Sequence, residues 1–192
     1  MHYDAKTFTI PELDGISRET IDEHIGLYNG YVKHANLIRE KIEAYSNDPD
    51  NNAYAIGEMQ RRLGFEFGGM RNHEYYFSQF EGGAHPLPDG TLKQMIETQW
   101  GSIESWQDRF TTVALTRGVG WAMLYIDRQT NQLVQTWVDE QHLGQLADLD
   151  IVLALDMWEH SYMRDYPPSK KKEYIDAFFK NLNWEVVTTR VV

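Results

Sequence analysis

Cysteine is missing altogether from the 192 residues. Without a thiol there is no disulfide, no zinc–thiolate site and no cysteine nucleophile, so any metal has to be held by imidazole and carboxylate, a donor set that suits iron or manganese. Positive charge is scarce: 18 Lys and Arg against 29 Asp and Glu leave a net charge of -11, which repels phosphate backbones and argues against a nucleic-acid partner. No run approaches the roughly 20 apolar residues of a membrane span. The opening Met1-His2-Tyr3-Asp4-Ala5-Lys6 also lacks the basic-then-apolar layout of a secretory signal, so a cytoplasmic chain with no membrane partner is expected. Proline is sparse as well, six residues, and they fall at breaks in the pattern rather than inside it. What is abundant is apolar matter: 42% hydrophobic and 13% aromatic content can build a core, either as one large domain or as two small ones sharing an interface.

Pro11 and Gly15 precede a helix expected to begin near Ser17. Its stripe is Ile21, Ile25, Tyr28, Tyr31, Val32, Ala35, Ile38 and Ile42, at spacings of three and four, with His24 on the stripe's edge. Gly26 and Gly30 weaken that helix, and close approach of another element or a ligand would explain them. The polar turn Ser46–Asn52 should join an antiparallel second helix running from about Ala53 to Phe80. One face of it carries His73 together with Glu66, Gly69, Met70, Tyr76, Phe77 and Phe80. An imidazole among aromatics needs a partner if it is buried.

The stretch Glu81–Gly90, dense in Gly and Pro, marks the plainest boundary and divides a helical half, 1–83, from a mixed half, 84–192. Helices are expected near Thr91–Gln99 and Ile103–Thr116, the second capped by Ser102. Trp121–Ile126 and Leu133–Trp137 read as strands joined by a hairpin turn. A third strand, Asp150–Leu155, ends against Asp156. After Pro167 and Pro168 a last helix should span about Ser169–Leu182, and the chain closes with Trp184 and a short basic tail. The fold class is therefore α+β: a two-helix hairpin followed by an α/β domain with a three-stranded sheet.

Asp156-Met157-Trp158-Glu159-His160 carries the chemical signal. A carboxylate at the end of a buried strand is costly unless it meets a cation, a metal or several hydrogen bonds. His160 lies four residues on, and Glu159 beside it could orient a ligand. On these residues alone, a helix start with Asp156 as its cap is the other explanation.

His24, His73, Asp156 and His160 stand in this order along a chain that resembles the iron/manganese superoxide dismutase family from end to end. Asp156-Met157-Trp158-Glu159-His160-Ser161-Tyr162 is similar to the family's D-V-W-E-H-A-Y signature. Ile16–Ile21 leads into His24 as the first-ligand segment does, and Asn72-His73 resembles the second. Gly118-Val119-Gly120-Trp121 and Asn183-Trp184-Glu185 match two further landmarks. The resemblance implies an amino-terminal helical domain, a carboxyl-terminal α/β domain and one iron or manganese ion per subunit between them, held by His24, His73, Asp156 and His160. It also implies superoxide as the substrate. That reaction needs an ion cycling between +2 and +3, which zinc cannot do, and three neutral imidazoles with one carboxylate leave bound solvent to complete the charge balance.

Around these residues the resemblance implies further roles. Gly69 stands where many iron-type members have glutamine; the manganese-type arrangement has glycine there and takes a glutamine from later in the chain. Gln141 is the candidate for that later residue, with His142 beside it as the alternative. The gateway tyrosine is Tyr31, seven residues past His24 and so within about 20° of its face, with Tyr28 as the alternative. Tyr28 occupies a place usually held by a histidine facing the neighbouring subunit's tyrosine, here Tyr162. Tyr76, Trp121 and Trp158 match the aromatic wall, and Phe77 replaces a tryptophan. A homodimer through Glu159 and Tyr162 is implied, Glu159 reaching the other subunit's His160. Lys170, Lys171 and Arg164 are candidates for steering the anionic substrate. Two other classes compete: a non-catalytic metal-binding or structural relative of the same fold, and an iron enzyme built on two His and one carboxylate.

Overall fold

The computed structural model describes residues 2–191. Helix α1, Arg18–Tyr45, is started by Ser17, whose Oγ accepts the Thr20 N–H at 3.2 Å. The same cap is tied to the far end of the chain. Asp165 accepts from the Ser17 N–H at 2.9 Å and from the Thr20 hydroxyl at 2.8 Å. Helix α2, Pro49–Ser78, begins four residues earlier than its apolar pattern does. Pro49 explains the difference, because at the first helical position its missing N–H costs nothing and its fixed φ suits the helix. The turn between α1 and α2 shrinks accordingly.

Helices α3, Thr91–Trp100, and α4, Ile103–Ala114, follow the connector, α4 capped by the Ser102 Oγ accepting from Ser105 N–H at 3.1 Å. Strands β1, Gly120–Asp127, β2, Gln132–Asp139, and β3, Leu149–Asp156, form an antiparallel sheet in the order β2-β1-β3. Central β1 is buried from Gly120 to Ile126, and Trp121 lies opposite both Val138 and Asp156. Helix α5 runs Lys171–Asn181 after a 3-10 turn at Pro168–Lys170.

The carboxyl terminus differs from the expected tail. Trp184–Thr188 forms a sixth helix, α6, with Asn183 Oδ1 accepting from the N–H groups of Glu185 and Val186, and a 3-10 turn at Thr189–Val191 follows. Its run of β-branched residues hides it from propensity; the Asn183 cap and the burial of Trp184 and Val187 make it. Between hairpin and sheet sits an aromatic core of fully buried Tyr76, Phe77, Phe80, Trp121 and Phe178, each ring contributing roughly 1.5–3 kcal/mol by leaving water. Of the expected α1 stripe, Ile21, Tyr28, Val32 and Ala35 are buried, while Ile25, Tyr31, Ile38 and Ile42 are only half-buried. No helix among the described residues is long and apolar enough to cross a membrane.

Candidate metal centre

Four side chains from four separate elements meet where the hairpin touches the sheet. His24 comes from the second turn of α1, His73 from the last turns of α2, Asp156 from the end of β3, and His160 from the 3-10 turn Glu159–Ser161. Their ligating atoms all lie within 4.8 Å of one another. Asp156 Oδ2 is 3.1 Å from His24 Nε2, 3.2 Å from His160 Nε2 and 3.5 Å from His73 Nε2. Its other oxygen, Oδ1, accepts the Trp158 N–H at 2.7 Å, which turns Oδ2 towards the imidazoles. His24, His73 and Asp156 are fully buried, and His160 keeps 21% of its side chain exposed.

The protonation states follow from these neighbours. A carbonyl only accepts, so the 2.6 Å contact of His73 Nδ1 with the Gly69 carbonyl places the proton on Nδ1 and leaves the Nε2 lone pair facing Asp156. That Nε2 has no hydrogen-bond partner. Burial, then repulsion from His24, lowers the His73 pKa to about 3, and burial also lowers that of His24, so both rings are neutral near pH 7. Burial pushes Asp156 up, but the charge and hydrogen bonds of His160 and His24 outweigh it and hold the carboxyl below its usual range. With His24 and His73 neutral and the His73 Nε2 lone pair orphaned, the buried Asp156 carboxylate is short of counter-charge. A cation at their centre would supply it, and the donor set of three nitrogens and one oxygen fits iron or manganese.

Tyr31 and Gln141 border the cluster. The Gln141 amide is fully buried; its Nε2 donates to the Tyr31 hydroxyl at 3.0 Å and its Oε1 accepts from Trp121 Nε1–H at 2.9 Å. Two features of α2 hold the Gln141 backbone: Asn72 Nδ2 donates to its carbonyl at 3.0 Å, and a side chain at Gly68 would overlap that same carbonyl. Gly69 has the corresponding relation to Tyr31, whose ring would stand 2.5 Å from an added Cβ. The Tyr31 ring lies 5.1 Å from that of His73, and burial, with Asp156 and Glu66 nearby, raises its pKa. His142 packs instead on Gly64 and Phe65 and is absent from the cluster.

Trp158 stacks on His160 at 5.8 Å, and Trp121 meets His73 edge-on at 5.0 Å. Tyr76 and Phe77 lie 5.0 and 4.9 Å from His24.

Tyr28 lies away from the cluster: its hydroxyl accepts the Lys6 N–H at 2.8 Å and contacts Glu74 at 3.4 Å, while Tyr162 packs on Tyr174 of its own chain. Four helical residues advance about 40° beyond the starting face, enough to turn Tyr28 towards the amino-terminal strap. Gly26 and Gly30 have nothing within 4 Å of where a Cβ would be, so no close approach within the chain explains them. Two contributors went unnoticed in the sequence. Tyr174 of α5 donates to the Asp156 carbonyl at 2.9 Å and meets the Tyr76 hydroxyl at 3.0 Å. Arg62 lies over the Phe65 ring at 3.8 Å and pairs with buried Glu66 at 2.9 Å, beside Tyr31. Glu66 already shares the face of His73, but no local signal marks Tyr174.

The family model for iron/manganese superoxide dismutases, C-terminal domain, matches residues 88–190. The protein named superoxide dismutase (Fe) from Aquifex aeolicus is 34% identical over 93% of this chain and 85% of its own length. The chain belongs to the iron/manganese superoxide dismutase family. Another iron-named superoxide dismutase, from Cupriavidus metallidurans, is 36% identical over 93% of this chain and 90% of its own, and superoxide dismutase (Mn) 2 of Haloferax volcanii is 30% identical over 91% and 86%. This superoxide dismutase converts two superoxide anions and two protons into dioxygen and hydrogen peroxide, and its cofactor is one iron or manganese ion. The reading as a non-catalytic relative is not favoured, since all four candidate donors are present and gathered.

Proposed function

We propose that His24, His73, Asp156 and His160 hold the metal and that Tyr31 and Gln141 govern the protons and the potential at it. The observation that carries this reading is the convergence of three Nε2 atoms on one buried Asp156 oxygen, with His73 Nε2 otherwise unpartnered. When bound, the ion supplies one-electron chemistry by alternating between +2 and +3. The residues do the rest. The Gly69 carbonyl fixes the His73 tautomer, and neutral His24 and His73 with anionic Asp156 keep the protein's own charge at the site low. Tyr31 keeps its proton well above neutral pH and holds it at the hydroxyl that Gln141 fixes. With its Oε1 taken by Trp121, Gln141 cannot flip, so its amide dipole keeps one orientation. The rings of Tyr76, Phe77, Trp121 and Trp158 keep bulk water out. Glycine at 69 with glutamine at 141 supports a manganese-compatible arrangement.

The decisive measurement is metal content beside activity. His73→Ala should lose both, and His73→Ala protein that retains parental metal content and rate would overturn the assignment. Refilling the apoprotein with iron and with manganese in turn identifies the working metal, and Gln141→Ala should shift the ratio of the two activities while leaving metal binding largely intact.

The same proposal includes a homodimer about Glu159 and Tyr162. Its support is a concavity of about 710 Å³ beside exposed Glu159 and part-exposed His160, where Gly26 has no neighbour and Leu27 and Met163 are 44% and 46% exposed. Sedimentation of Glu159→Ala against the parent tests it. Arg164, paired with Glu23, lines the same concavity, whereas Lys170 pairs with Glu173 at 3.0 Å and Lys171 lies over the Tyr162 ring at 5.4 Å. Steering of superoxide by the two lysines is tested by the salt dependence of a Lys170/Lys171 neutralised variant. Cytoplasmic residence is checked by fractionation. The division at 83/84 is supported by the positive φ of Gly82 and Gly83, 79° and 87°, which only glycine adopts freely, and limited proteolysis tests it.

A further inference from the structure

The end of the chain supplies a cation that the proposed chemistry does not use. Arg190, in the 3-10 turn after α6, reaches α2 and β3 at once. On α2 its Nη2 donates to the Tyr75 carbonyl at 3.1 Å and to the Ser78 hydroxyl at 2.8 Å; on β3 its Nη1 donates to the Val152 carbonyl at 2.8 Å. Gln79, fully buried, extends the link: Nε2 donates to the Ala154 carbonyl at 2.6 Å, and Oε1 accepts the Ala154 N–H at 3.5 Å and Arg190 Nη1 at 3.5 Å. Because β3 is an edge strand, no further strand takes these main-chain groups. The contacts flank the metal centre, since Tyr75 lies two residues after His73 and Ala154 two residues before Asp156.

The choice of residue is informative. Arg128 pairs with Asp150 at 2.8 Å, whereas Arg190 has no ion pair among the described residues and gives its N–H groups to neutral oxygens. Leaving a guanidinium among carbonyls is costly, and burial lowers its pKa to about 10. A planar fork of donors can bridge acceptors on two elements, which the single ammonium of lysine cannot reproduce. Its position beside the last turn of α2 also answers that helix's unpaired carbonyls.

We propose that Arg190, with Gln79, is a positioning residue that sets the distance and angle between His73 on α2 and Asp156 on β3. The inference rests on the reading that these two residues hold the metal. Three variants, Arg190→Gln, Arg190→Lys and Gln79→Asn, are compared with Phe110→Leu, a core change in α4 that destabilises without touching the α2–β3 junction. Each is loaded with manganese, and we would measure the electron paramagnetic resonance spectrum, the rate of manganese loss to a chelator and the melting temperature. The expected result is an altered spectrum and manganese loss at least tenfold faster for Arg190→Gln and Gln79→Asn, only partly relieved in Arg190→Lys, with a parental spectrum and loss rate for Phe110→Leu at a similar melting temperature. Parental spectra and loss rates in Gln79→Asn and in whichever Arg190 variant folds would overturn the proposal and leave Arg190 a stabilising contact. His73→Ala separates the two failures: if it keeps its manganese, the ligand assignment falls and takes this inference with it; if it loses manganese while the Arg190 and Gln79 variants behave as the parent, only the inference falls.

Discussion

At the sheet end of the hairpin, α1 from Thr20 to Asn36 and α2 from Glu66 to Phe77 supply every buried position of the two helices; at the turn end, Leu37 to Phe65, no residue is buried and Tyr54 is 83% exposed. The apolar spacing is alike at both ends. What differs is the cover: β3, the 140–145 turn and α5 close over the sheet end, whereas the turn end is touched only in part, by His142 and Trp158 at Phe65 and by Tyr3 at Arg39. Periodicity therefore reports which way a face points, and a neighbour decides whether that face is buried. Glycines show the same contrast. Gly68 and Gly69 are packed against Gln141 and Tyr31, while Gly57 has open space around it.

This contrast can be broken by substitution at either end. His73→Ala should have the largest effect, metal content and activity falling together by more than tenfold, measured by elemental analysis and superoxide consumption. Acid should come next. His73 titrates near 6.5 when unfolded but near 3 when folded, so below pH 6.5 the unfolded chain binds more protons and apoprotein stability falls, by about 1.4 kcal/mol per pH unit from His73 alone, with His24 adding in the same direction. Asp156 acts the same way only in stronger acid: its pKa is depressed, so its contribution is present above the unfolded carboxylate range and lost below it. Denaturant melts of the apoprotein between pH 7 and 5 check the histidine effect, and a flat profile would mean that these imidazoles are not buried and neutral.

Gly68→Ala should cost roughly 1–3 kcal/mol and reduce activity, because the methyl group displaces the Gln141 backbone; melts and rate assays on the loaded enzyme measure both. Tyr31→Phe should cost about 1 kcal/mol by leaving the Gln141 Nε2 without its acceptor, and should alter the alkaline limb of the rate profile, since the proton held at that hydroxyl is removed. Gly57→Ala should do least and in the opposite sense. At an uncrowded helical site it should stabilise by about 0.5–1 kcal/mol with the rate unchanged. A loss of activity there would show that the two ends are not independent.

Residue types and their order along the chain were enough to place every helix but α6, the strand ending at Asp156, the family, and four candidate donors. These are local properties: caps, spacing, and a short segment around Asp156 and His160. Only the three-dimensional path of α1 separates Tyr31 from Tyr28, turning the first hydroxyl to Gln141 and the second to Lys6 and Glu74. Gln141 and His142 are neighbours in sequence, but Trp121 and Asn72, from two other elements, draw in the amide and leave the imidazole against Phe65. Tyr174 and Arg190 carried no local signal at all. Each acts through main-chain oxygens of β3, and a carbonyl's need for a donor depends on which strand edge folding leaves open, a property of the assembled sheet and helices rather than of any window of sequence.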